Sequence, residues 1–189
     1  MEKVLIVSHS EKNDAFFTDL VNAASSSRID IVRSCGDARR LLVIRDFDLI
    51  IINSPLQDET GEHLARTVAA DGITQVILVV RSEHFDEIAS VCENAGVLTI
   101  AKPINRNLFW AALKLAAAAQ NRIKRLQAEN NQLIQKIEDI RLVDRAKCVL
   151  IAYLKMSEQE AHRYIEKQAM DMRTSKRKIA EGILKIYED

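Results

Sequence analysis

Glycine, proline and aromatic residues are all scarce in this 189-residue chain: five Gly, two Pro, and 5% Phe, Trp and Tyr together. So few turn formers argue against a turn-rich all-β fold, and so few rings leave the core to aliphatic side chains. The longest apolar runs, Leu49 to Ile52 and Val76 to Val80, are of strand length, and neither spans a bilayer. The start, Met1-Glu2-Lys3-Val4, lacks the layout of a secretory signal. Three cysteines, Cys35, Cys92 and Cys148, are odd in number and widely spaced, which excludes a disulfide framework and a cysteine metal site. Cys92 and Cys148 fall on apolar faces and Cys35 in a polar stretch, so free thiols in a reducing cytoplasm are expected. Net charge is missing too, with 27 Lys and Arg against 27 Asp and Glu. Apolar residues, at 48%, are plentiful enough for a packed core and too plentiful for a disordered chain.

The zero total hides a division. Residues 1–105 hold 10 basic and 16 acidic side chains, residues 106–140 hold 6 and 3, and residues 141–189 hold 11 and 8. An acidic front and a mildly basic back point to modules with different partners. No Gly or Pro occurs from Ile104 to Glu181, so the back is expected to be almost wholly helical.

The front alternates strands and helices. Strands are expected at Lys3 to Val7, Ile29 to Val32, Asp48 to Ile52, Gln75 to Val80 and Val97 to Ala101. Between them lie amphipathic stretches: Phe16 to Ala24, residues 36–45, Leu64 to Val68, and about 84–94. The third strand is apolar on both faces, as buried parallel strands are. Residues 1–105 therefore read as an α/β doubly wound five-stranded parallel sheet. Functional residues in such sheets sit at the carboxyl ends of the strands, here Ser8, His9, Asn53, Val80, Arg81 and Lys102.

These residues carry a resemblance. Asp48-Leu49-Ile50-Ile51-Ile52-Asn53 with Gly61 eight positions on, then Gly96 and Lys102-Pro103-Ile104, resemble the receiver domain of two-component response regulators. In that family the Lys-Pro peptide is usually cis, an acidic pair after the first strand binds Mg²⁺, and an Asp after the third accepts phosphate. The resemblance implies that Ser8 and His9 stand at the acidic pair and Asn53 at the phosphoacceptor. Val80 replaces the hydroxyl after strand four and Thr99 the switch aromatic, so only Lys102 remains. Hard Mg²⁺ needs carboxylate oxygens and an amide is a poor nucleophile. The front is expected to be a pseudo-receiver, with no metal and no cofactor, open to a protein partner. Asp58 and Glu59 are expected to be solvated loop residues, and His9 a polar residue at a strand end.

From Arg106 a helix carries Leu108, Ala112, Leu115 and alanines 116–119 into a heptad. Ile123, Asn130 and Ile137 fall at one seam position and Leu126, Leu133 and Ile140 at the other. β-Branched residues at a, Leu at d and one buried Asn favour a parallel two-stranded coil. Residues 106–140 thus read as a linker and dimerising coiled coil, unless the seam packs on its own chain.

The tail, 141–189, reads as an all-α three-helix module. Val143, Ala146, Val149, Leu150, Tyr153 and Leu154 recur at helical spacing, and Ser157-Glu158-Gln159-Glu160 is a capping box. A third helix carries Ile179, Ala180, Ile183, Leu184 and Tyr187. Tyr153 and Tyr164 are expected in the core. Arg173, Lys176, Arg177 and Lys178 put four cations in six residues near a helix start, and Arg145 and Lys147 extend that surface. Such a cluster is either a nucleic-acid contact or an ordinary solvated face.

Val143 to Leu150, Leu154, Ser157 to Ala161, Ala169-Met170, Arg173 and Ile179 to Ile183 resemble the ANTAR domain, with Cys148 where a small residue is typical. That family comprises RNA-binding antiterminators that hold paired stem-loops in nascent mRNA and prevent a terminator hairpin. The resemblance implies a cytoplasmic homodimer that binds mRNA leader hairpins and is no enzyme. The alternatives are a helix-turn-helix DNA binder and a scaffold for a protein partner.

Overall fold

The computed structural model describes every residue except 25, 26, 188 and 189. The described residues form two compact units, Met1–Arg125 and Leu126–Asp189. The first contains β1 (Lys3–Val7), α1 (Glu11–Ala24), β2 (Arg28–Val32), α2 (Cys35–Ile44), β3 (Leu49–Asn53), α3 (Glu62–Ala70), β4 (Gln75–Arg81), α4 (Phe85–Glu93) and β5 (Leu98–Lys102). It closes with the first part of α5 (Arg106–Leu154). All pairings are parallel and the strand order is β2-β1-β3-β4-β5.

Two-residue periodicity sorts the strands onto two cores. Leu5, Val7, Ile50, Ile52, Leu78 and Val80 face α2, α3 and α4, while Val4, Ile6, Leu49, Ile51, Ile77 and Val79 face α1 and α5. On the second face Phe17 of α1 meets Phe109 of α5 at 5.2 Å between ring centroids. Phe109, Leu113 and Ala116 are fully buried. Packing of the first unit therefore runs past residue 105 into α5, because the sheet needs a helix there to cover its second face.

Local signals explain the joints. Ser34 caps α2 by accepting from the Asp37 amide. Asp58 takes the next two free amides of that helix, Cys35 N at 3.0 Å and Gly36 N at 2.9 Å. Glu59 pairs with Arg39. Neither carboxylate is merely solvated, a departure from the reading of that loop. Gly61 has φ +83, and a Cβ there would lie 2.6 Å from Ile52, so the loop into α3 requires glycine. Lys102–Pro103 is cis, and so is Ser54–Pro55.

Asp48 sits at the foot of β3. It accepts from Glu2 N at 2.5 Å and Lys3 N at 3.3 Å, and its other oxygen meets Lys124 Nζ at 2.8 Å and Gln120 Nε2 at 3.4 Å. It thus ties α5 to β1 and β3. Burial alone would raise its pKa, but the bonds from Glu2, Lys124 and Lys3 outweigh it and hold the group at about 2.

The second unit holds the rest of α5, then α6 (Glu158–Asp171) and α7 (Lys176–Tyr187). The first tail helix is not separate: it is the end of α5, since nothing in 104–154 breaks a helix. The capping box at α6 is complete, with Ser157 Oγ accepting from Glu160 N and Glu160 Oε2 accepting from Ser157 N. Ala146, Leu150, Ala161, Ile165, Ala180 and Leu184 form the core between the three helices. Cys35 and Cys92 are buried and Cys148 is exposed, the reverse of expectation for Cys35 and Cys148. The polar neighbours of Cys35 hid that it opens α2 and faces the core from its first turn, and Cys148 lies just off the α5 stripe. Burial and the nearby Asp58 and Glu59 push the Cys35 thiol up to about 11. Among the described residues no helix is long and apolar enough to cross a membrane.

The depressed Asp48 pKa makes a pH-dependent contribution. Its folded value, about 2, lies below the unfolded value of about 3.9, so the stabilisation of about 2 kcal/mol is present above pH 4 and disappears as pH falls through 2. Asp48→Asn should lower the stability of the first unit by that amount at pH 7 and flatten its pH dependence between 4 and 2. Denaturant unfolding followed by the single tryptophan, Trp110, at several pH values checks this.

Candidate functional site

Two places gather the polar residues. The first is the crevice at the carboxyl ends of the strands. Asn53 closes β3, is almost fully buried, and donates Nδ2 to Ser8 Oγ at 3.2 Å. Ser8 directly follows β1 and is itself buried. His9 is exposed. Arg33 donates to the Ser8 carbonyl at 2.9 Å and pairs with Asp14 of α1. Val80 is buried among the α3 and α4 contacts, and Thr99 is half-buried in β5. Lys102 donates its ammonium to the Ser54 carbonyl, and burial, with a smaller push from Arg81, lowers its pKa. The crevice therefore brings Ser8, Asn53 and Lys102 to one end of the sheet, and leaves His9 in solvent.

A divalent cation of the kind receivers hold does not fit these residues. The donors present are a hydroxyl bonded to an amide, an exposed imidazole and the Asn53 amide, while Asp14 is committed to Arg33. Among the described residues no group of three or more His, Cys, Asp or Glu is placed to hold a metal ion. Beside the crevice, Pro55, Val80, Arg81, His84 and Glu87 line a cavity of about 350 Å³.

The second place is the tail. The six cations singled out by sequence do not behave alike. Lys147 bridges Asp144 at 2.8 Å and Glu158 at 2.9 Å, joining α5 to α6, and both carboxylates raise its pKa. Lys176 pairs with Glu166 of α6. Arg177 pairs with Asp139 of α5 at 2.7 Å and with Glu181 at 2.8 Å. Arg145, Arg173 and Lys178 are exposed. Arg173 has φ 49, as the chain turns out of α6. Arg173 and Lys178 have no ion pair among the described residues.

Tyr153 and Tyr164 are 62% and 39% exposed, so neither is a core residue. Helical spacing placed them near the apolar stripe; the small Ala residues at the helix contacts bring the backbones close and leave the rings outside. Tyr153 lies against Tyr187, with ring centroids 5.2 Å apart.

Between the two places, the heptad side chains face solvent within this chain. Leu126, Leu133, Ile137 and Ile140 are each more than half exposed. Among the described residues these four seam side chains are left uncovered.

If the Lys147 bracket serves the fold, Lys147→Ala should lower the melting temperature of the tail by a few degrees, as exposed pairs contribute ~1 kcal/mol or less. Circular dichroism melts should show the gap shrinking in high salt.

The model of the ANTAR domain matches residues 131–184. The transcriptional regulatory protein PdtaR of Mycobacterium tuberculosis is 25% identical over 169 residues, covering 88% of this chain and 82% of that protein. The aliphatic amidase regulator of Pseudomonas aeruginosa is 24% identical over 178 residues, covering 92% and 86%. Among solved structures, the signal receiver domain of an HD-domain-containing protein from Pseudomonas fluorescens Pf-5 superposes with a TM-score of 0.57 at 21% identity, over 66% of this chain and 92% of that one. A response regulator receiver domain from Clostridium thermocellum gives 0.56 at 17%, over 67% and 99%. The chain thus has a receiver-like fold at its N-terminus and matches the ANTAR domain over residues 131–184.

Proposed function

We propose that the chain is a non-enzymatic, dimeric RNA-binding antiterminator that holds paired hairpins in nascent mRNA and prevents a terminator from forming. The observation that carries this is the matched ANTAR domain with an exposed apolar heptad running into it. A second copy of the chain covers Ile123, Leu126, Leu133, Ile137 and Ile140, with Asn130 setting the register. Of the six tail cations, Arg173 and Lys178 offer charge to phosphates, while Lys147, Lys176 and Arg177 are engaged in holding helices together. Two tails on one coil then grip two hairpins, and the second contact is intramolecular, which raises avidity by ~10²–10⁴.

The receiver-like unit does not take an aspartyl phosphate in this reading. Asn53 is an amide bonded to Ser8, and no carboxylate faces it in the hydrogen-bond network. Control then comes from a protein partner at this unit, from a ligand beside the strand ends, or from the amount of protein made.

Leu126→Asp with Leu133→Asp would place charges against apolar partners at several kcal/mol. Sedimentation should show monomers, and binding to a two-hairpin RNA should fall to that of a one-hairpin RNA. An unchanged dimer would place the interface elsewhere, and equal affinity of the wild-type chain for both RNAs would contradict the paired-hairpin mechanism.

Incubation with acetyl phosphate and Mg²⁺ should leave the intact mass unchanged. A hydroxylamine-sensitive phosphoryl group on the first unit would overturn the pseudo-receiver reading.

A further inference from the structure

α6 presents three faces at helical spacing. Ala161, Ile165 and Ala169 are buried in the tail core. His162 and Glu166 form one flank, and Glu166 there holds Lys176 of α7. The other flank carries Glu160, Arg163, Tyr164 and Lys167, at i, i+3, i+4 and i+7. Together with Leu154 and Lys155 it lines a shallow groove of about 490 Å³.

Charge and exposure set this groove apart from the rest of the tail. Arg163 and Lys167 are exposed and have no ion pair among the described residues. Among the described residues Lys155 donates to the Ala152 carbonyl alone, at 3.0 Å. The single carboxylate lining the groove, Glu160, accepts the amide and hydroxyl of Ser157 on one oxygen, so three cations there face one carboxylate. On the α7 side, by contrast, Lys176 and Arg177 are answered by Glu166, Asp139 and Glu181. The floor is apolar and aromatic: Leu154 is 46% exposed and Tyr164 39%. Three cations around an exposed ring match the chemistry of an unpaired ribonucleotide segment, whose phosphates need cations and whose bases need a flat apolar face.

We infer that this groove, rather than the Lys176–Lys178 start of α7, is where the tail takes the single-stranded loop of an RNA hairpin, with Arg163, Lys167 and Lys155 at phosphates and Tyr164 beneath a base. The assignment rests on the RNA-binding reading above. Lys176 and Arg177 then act as struts of the fold. Arg163 contributes a second planar group to the groove, one that stacks as well as pairs.

The test uses the full chain and a labelled pool of two-hairpin RNAs with randomised loops. Arg163→Ala with Lys167→Ala should weaken binding tenfold or more and reduce the slope of log affinity against log salt by about one to two, as phosphate contacts are lost. Its melting temperature should not change, since neither side chain has an ion pair to lose. Tyr164→Ala should weaken binding about tenfold while Tyr164→Phe binds as the wild type does, because stacking uses the ring and not the hydroxyl. Lys176→Ala with Arg177→Ala should lower the melting temperature and leave the salt slope intact. If the wild type binds RNA and the Arg163, Lys167 and Tyr164 variants bind equally well, the groove assignment fails and the RNA reading stands. If the wild type ignores the RNA pool, or captures duplex DNA or an acidic peptide instead, both fail.

Discussion

Apolar surface on α5 has to be covered, and along its 49 residues the cover changes. Phe109, Leu113 and Ala116 are covered by the second face of the sheet. Ala146, Val149 and Leu150 are covered by α6 and α7. Leu126, Leu133, Ile137 and Ile140, in between, are each more than half exposed among the described residues. A seven-residue repeat of Leu and Ile with a single Asn is the pattern by which a second helix supplies that cover. α5 runs unbroken through the seam, so the helix does not turn there to bury it against its own unit. The exposed seam is thus a consequence of helix continuity.

At the end of the first unit, the Asp48 carboxylate fixes α5 through Gln120 and Lys124, just as the seam begins at Ile123. This contact lies at the amino ends of the strands, whereas Asn53, Ser8 and Lys102 lie at the carboxyl ends. The crevice that carries phosphate chemistry in receivers is here closed by a neutral Ser8–Asn53 hydrogen bond and a lysine turned onto a backbone carbonyl.

Much of the fold was legible in the sequence because periodicity and caps are local signals. The alternation of strands and helices through residue 102, the Lys102–Pro103 ending and the Ser157 capping box all rest on neighbours a few positions apart. What was not legible depends on partners far along the chain. Asp58 caps α2 from 22 residues away, and Arg177 meets Asp139 across 38. No run of four cations announces that two of its members are already paired. Tyr153 and Tyr164 misled for a related reason: helical spacing gives the side of a helix but not the closeness of its neighbour. The groove on α6 combines both blind spots, since Arg163, Tyr164 and Lys167 look ordinary until the opposite flank is seen to be neutralised.

The central claim is that this chain acts on RNA, two hairpins at a time. Ultraviolet crosslinking in cells carrying the tagged chain, followed by sequencing of the bound transcripts, tests it most directly. Bound fragments should concentrate in transcript leaders as two adjacent hairpins, the second overlapping a terminator stem. Fragments no more abundant than in an untagged control, or scattered without paired hairpins, would contradict the account.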